Sequence, residues 1–154
     1  MKCITYLRVA SSDITDQQMG FNYQQKIISD FVIKNNYEVI KTIREVGSGI
    51  TGKSELILNH IKKQKVDAVV CTSVDRISRK HDDFMRLKYL LDIAGVKLIF
   101  ADTEHEVEQL SPFDKATQGL LEALRTLEKE ELSRRIKMGI ERRKKYGNKE
   151  NVTQ

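Results

Sequence analysis

Apolar residues fall along this chain in two patterns. Short dense runs occupy residues 3–9 (CITYLRV), 38–44, 67–72 (DAVVCT) and 96–101 (VKLIFA). Between them, apolar positions recur every three or four residues. Dense runs of this length predict strands, and the 67–72 run is nearly continuous, as a parallel strand buried on both faces should be. The spaced stretches predict helices over 18–35, with Ile27, Ile28, Phe31 and Val32 on one side, over 54–64, with Leu56, Ile57, His60 and Ile61 facing a sheet, and over 81–94. The last of these stops at Gly95, a suitable residue after a helix end. Strand and helix alternate, which predicts an α/β fold with an open, mostly parallel sheet flanked by helices. In such sheets functional groups collect at the carboxyl ends of the strands. The loops of interest are therefore 10–17, 45–53, 73–80 and 102–113.

After Pro112, the only proline, nothing but Gly119 and Gly139 interrupts helical patterning as far as Tyr146. A helix over 113–146 would run about 50 Å. Leu120, Leu124, Leu127, Leu132, Ile136 and Ile140 form an apolar track along it. The first half of the track can pack on its own domain, and the second half is expected to meet another chain. This divides the chain into a core over 1–112, a long oligomerisation helix of the same domain over 113–147, and a polar tail or linker over 148–154.

Composition narrows the class. The 154 residues suit one domain with a real core. No apolar run approaches the roughly 18 residues of a membrane span, and the short apolar start reads as a strand, not a signal peptide. Cys3 and Cys71 sit in strand-like runs and read as buried free thiols, so a cytoplasmic protein is the simplest expectation. The net charge is +5, and residues 125–146 carry nine Lys/Arg against four Glu. Such a helical end either forms a solvated face or lies on phosphates. Arg134, Arg135, Arg142, Arg143, Lys144 and Lys145 are its DNA-binding candidates, with Lys53 in an earlier loop.

Residues 47–54 read GSGITGKS, which fits the phosphate-loop pattern G-x-x-x-x-G-K-[ST] at every required position. Two features weigh against a nucleotide site. The loop follows the second predicted strand, where a phosphate loop usually follows a central one. Asp75, the candidate metal-holding residue, does not directly end an apolar strand.

Four further segments, met in order, account for more of the chain. They are Tyr6-Leu7-Arg8-Val9, then Met19-Gly20-Phe21-Asn22-Tyr23-Gln24, then Glu45-Val46-Gly47-Ser48-Gly49, then Asp75-Arg76-Ile77-Ser78-Arg79. With Glu128-Lys129-Glu130 and Arg135 on the long helix, they resemble the serine recombinases of the resolvase/invertase class, across residues 3–147. The resemblance implies a DNA-rearranging activity of transposon or phage type, such as resolution, inversion or integration. A serine attacks the DNA backbone and forms a phosphoserine intermediate, with no cofactor and no nucleotide. Double-stranded DNA and further copies of the chain are the implied partners, as a homodimer and, during synapsis, a tetramer. Phosphodiester exchange needs cations around an anionic transition state, and arginine grips phosphate oxygens in pairs. Arg8, Arg76 and Arg79 leave strands one and three, which lie side by side in such folds. Asp75 would orient an arginine or move protons, Gln24 would position a neighbour, Ser48 would contact phosphate or an arginine, and Tyr6 belongs to the first motif. No His, Cys or carboxylate cluster has metal-ligand spacing.

The pattern breaks at the nucleophile. That position is Ala10, which has no hydroxyl. The arginine expected beyond the S-G loop falls on Ser54, a glutamine expected four residues past the nucleophile falls on Ile14, and Lys129 replaces an arginine. Three readings are open. Ser11 serves as a displaced nucleophile, the protein is an inactive relative that still binds and oligomerises, or Ala10 is an engineered replacement. Locally, Ser11-Ser12-Asp13 also reads as a helix-capping cluster.

Overall fold

The computed structural model describes residues 1–10, 13–47, 54–62 and 65–146. The chain divides into two compact units, Met1–Lys115 and Ala116–Gln154.

The first unit holds β1 (Lys2–Val9), α1 (Ile14–Lys34), β2 (Glu38–Val46), α2 (Ser54–Ile61), β3 (Ala68–Cys71), α3 (Val74–Ile77), α4 (His81–Ile93), β4 (Lys97–Phe100) and β5 (His105–Glu106). The sheet order is β2-β1-β3-β4-β5. All neighbours are parallel except β4 and β5, so the expected open, mostly parallel α/β sheet is present. β1 lies between β2 and β3, and its residues from Cys3 to Val9 are buried.

Alternation along the strands divides the core into two layers. Cys3 and Leu7 of β1 join Val70 and Ile99 under α1, against Phe21, Ile28, Phe31 and Val32. Ile4 and Tyr6 join Val69 and Leu98 on the other face, against Ile57, Leu87 and Leu91 of α2 and α4. α1 approaches the end of β1 at Gly20, where an added Cβ would come within 2.8 Å of Val9 Cγ1. Glycine is the residue that admits this approach.

Several boundaries moved for identifiable reasons. α1 begins four residues before its expected start, because the Asp13 carboxylate accepts from the Thr15 and Asp16 N–H groups at 2.8 and 3.1 Å and caps the helix. β2 runs on to Val46, since its register with β1 continues to Val9. α2 stops at Ile61, short of 64. α3 and β5 have too few residues to leave a periodic pattern. α5 (Pro112–Tyr146) starts on the proline, a position where no N–H is missed. Ser111 Oγ accepts from the Asp114 N–H at 3.1 Å in front of it.

A buried ion pair ties α4 to the chain that leads into α5. Lys88 Nζ donates to Asp92 Oδ1, and both side chains are 2% exposed. Asp92 Oδ2 accepts from the Leu110 N–H at 2.8 Å.

In the second unit, α5 carries its apolar track exposed: Leu120, Leu124, Leu127, Leu132, Ile136 and Ile140 all face solvent. None of the described helices is long and apolar enough to cross a membrane.

Candidate active site

The carboxyl ends of β1, β2 and β3 bring most of the expected residues together. Arg8, on the central strand, is 2% exposed. Its guanidinium donates to the carbonyl oxygens of Arg76 at 2.7 Å, of Gly47 at 3.1 Å, and of Asp75. Two separate segments, the end of β2 and α3 after β3, are thereby pinned to one side chain on β1. Its donors go to protein carbonyls, not to open space.

Gln24 on α1 holds the backbone of the same residue. Its Oε1 accepts from the Arg8 N–H at 3.1 Å, and its Nε2 donates to the Arg8 carbonyl at 2.9 Å and to Gly20 at 3.2 Å. The β1–β3 ladder stops at Thr5, so on this side the glutamine amide supplies the pairing that Arg8 lacks. Tyr6 hydroxyl donates to Glu45 Oε2 at 2.7 Å, both groups buried. Burial, then the hydrogen bond and negative charge of Glu45, push the Tyr6 phenol far above its usual range; Arg8 offsets this in part. Tyr6 therefore stays a protonated donor.

Asp75 and Arg76 occupy α3. Asp75 Oδ1 accepts from Ser73 Oγ at 2.5 Å, and Asp75 Oδ2 lies 3.4 Å from the Arg76 guanidinium. Arg76 keeps 35% of its side chain exposed and also reaches the Arg8 carbonyl at 3.5 Å. Arg79 lies just past α3 and is exposed.

Beside these groups an open cleft of about 430 Å³ runs between α1 and the strand ends. Ala10, Asp16, Tyr23, Thr72, Ser73, Arg76 and Asp102 are among its walls. Thr72 is buried, and its Oγ1 has no hydrogen-bond partner among the described residues. Cys71, fully buried beneath, has its thiol pushed up beyond any working range by burial and then by the charges of Asp102 and Asp75. Burial also raises Cys3, to about 11, partly opposed by the N-terminal ammonium. Both cysteines are free and buried, as expected.

Ser11, Ser48 and Lys53 lie outside the described residues, as does nearly all of the GSGITGKS loop. That loop follows an edge strand, β2, which is not where a nucleotide phosphate loop sits. Arg134, Arg135 and Arg143 are exposed on α5 in the second unit, with Arg135 3.5 Å from Glu131. Arg142, Lys144 and Lys145 fall on the same helix, with their side chains outside the description. Reading the sequence missed Glu45, Thr72, Ser73 and Asp102. Glu45 stood inside a quoted motif without a role; the β1–β2 register, Arg8 opposite Glu45, supplies one.

A mostly parallel sheet thus gathers arginines, an aspartate and hydroxyls at the ends of adjacent strands. The chain belongs to the resolvase family, matching the resolvase N-terminal domain over residues 3–149. Solved structures share the fold. The N-terminal catalytic domain of TP901-1 integrase superposes with a TM-score of 0.63 at 20% identity, covering 84% of this chain and 98% of that one. A resolvase family site-specific recombinase from Streptococcus pneumoniae gives 0.57 at 22%, covering 94% and 99%. The C-terminal catalytic domain of ISC1926 TnpA, an IS607-like serine recombinase, gives 0.59 at 23%, covering 66% and 70%. No curated protein matches the chain.

Proposed function

We propose that the protein is a site-specific DNA recombinase that cleaves, exchanges and religates strands through a phosphoserine–DNA intermediate. The observation that carries this reading is the site on a resolvase-family domain, where Arg76 opens onto a cleft at the strand ends while Arg8 locks the surrounding loops. Arg76 and Arg79 supply charge to the phosphate, and Asp75 orients Arg76. Tyr6, Gln24 and Arg8 hold the frame, and Ser48 completes the loop side. Because Ala10 has no hydroxyl, another serine attacks, and Ser11 is its neighbour in sequence.

In this reading residues 1–112 carry the chemistry and the helix over 113–147 joins copies of the chain. The exposed apolar track on α5 supports a homodimer that pairs into a tetramer on DNA. Lys53, Arg134, Arg135, Arg142, Arg143, Lys144 and Lys145 contact the DNA backbone. A second reading rests on Ala10 itself: a family member that binds DNA and oligomerises without cutting.

The test uses a random library of nicked duplexes. Protein and DNA are incubated in EDTA, denatured in detergent, and passed over a protein-retaining filter. Retained DNA is the expected result. DNA that binds before denaturation and is wholly released after it would select the non-cutting reading.

A further inference from the structure

From the hydroxyls that line the cleft, we infer that Ser73 is the nucleophile that stands in for the missing serine at Ala10, with Asp75 as its base. The inference rests on the recombinase reading and adds a catalytic residue to it.

A serine hydroxyl becomes a nucleophile when an adjacent base accepts its proton and a cation waits where charge develops. Ser73 meets these conditions. Its Oγ donates to Asp75 Oδ1 at 2.5 Å, a short charge-assisted bond. The other oxygen of that carboxylate lies 3.4 Å from the Arg76 guanidinium. Ser73 and Arg76 line the same cleft as Ala10. The β1–β3 ladder ends at the Thr5–Val70 pair, and the chain beyond β3 carries Ser73 to the wall of the cleft that Ala10 also lines.

The nearby Thr72 hydroxyl is an independent sign of a ligand. It is buried at the cleft wall with no partner among the described residues. Buried hydroxyls are normally hydrogen-bonded, and a phosphate oxygen or its bound water would supply the partner. Ser73 precedes α3 yet makes no side-chain capping bond to that helix. Its hydroxyl is spent on Asp75 instead of on the backbone.

The step balances as an in-line displacement. Ser73 Oγ forms a bond to phosphorus as the P–O3′ bond breaks. The hydroxyl proton passes to Asp75, and the departing 3′ oxygen takes a proton from water. Religation is the reverse, so no outside energy source enters.

The experiment labels the whole chain with a fluorophosphonate, which phosphonylates an activated hydroxyl and releases fluoride, and then maps the label by peptide mass spectrometry. Label on Ser73 is expected, with labelling of Ser73→Ala reduced at least tenfold. Asp75→Asn should slow labelling at least tenfold, while circular dichroism shows both variants folded. Label on Ser11 or elsewhere, or none on a folded protein, overturns the assignment. The nicked-duplex assay separates this failure from failure of the recombinase reading. Trapped DNA with no Ser73 label keeps strand cleavage and moves the nucleophile. Ser73 label in a protein that binds but never traps DNA keeps the activated hydroxyl and overturns strand cleavage.

Discussion

Replacing Arg8 by alanine should cost stability as well as activity. The resemblance alone assigns this arginine to phosphate, and a phosphate-gripping side chain on a surface can be truncated with little effect on folding. Its geometry here predicts otherwise. The residue is 2% exposed, and its guanidinium is shared among carbonyls of Gly47, Asp75 and Arg76. Hydrogen bonds from a charged donor contribute about 1.5–3 kcal/mol each, and a buried acceptor left alone costs about 1–3 kcal/mol. Water entering the vacated space recovers part of this, so the net loss for Arg8→Ala is roughly 3–6 kcal/mol. Arg8→Lys keeps the charge but cannot fork to three acceptors, and should fall between. Urea unfolding followed by circular dichroism measures both. An Arg8→Ala protein within about 1 kcal/mol of the parent would refute the positioning role and return Arg8 to the substrate.

Other consequences can be measured on the same footing. Gly20→Ala places a Cβ 2.8 Å from Val9 Cγ1 and should lower stability by about 1–3 kcal/mol, with Val9→Ala in the same chain restoring much of it. Lys88→Met strands the buried Asp92 carboxylate and should cost about 3–5 kcal/mol. Adding Asp92→Leu should recover only part, because the Leu110 N–H then loses its acceptor. The native state keeps the Cys3 proton up to about 11 against an ordinary value of 9.0. The unfolded chain loses that proton first as pH rises, so the stabilisation is complete below pH 9 and disappears between 9 and 11. Cys71 and Tyr6 shift the same way, so urea midpoints should fall steeply over this range, and less steeply in Cys3→Ala.

The sheet was legible because its strands are short apolar runs and its α1 and α4 helices are periodic; both patterns follow from burial on one or two faces. The motif residues Tyr6, Arg8, Gln24, Asp75 and Arg76 converge as their order along the chain implied. What each one does was less visible. Arg8 reads as a surface cation until β3 and β2 are set beside it and their loop carbonyls close around it. Ser73 and Thr72 belong to no quoted motif, and only the packing of β3 against β1 puts them beside Ala10. α3 spans four residues, barely one turn, too short for the recurrence that would reveal a longer helix. Ser48 and Lys53 lie outside the described residues, so their expected roles enter as proposals; Ser11, also outside them, is the rival nucleophile to Ser73 that the labelling experiment would reveal.

Strand cleavage through a protein–phosphate bond leaves DNA ends of one polarity, and that polarity is measurable. Nicked duplexes labelled at either end are incubated with the protein, denatured, and digested separately with 5′- and 3′-directed exonucleases. The expected result is a 5′ end blocked by covalently held protein and a free 3′ hydroxyl. DNA that is bound yet keeps every strand intact, or breaks that carry no protein, would contradict it.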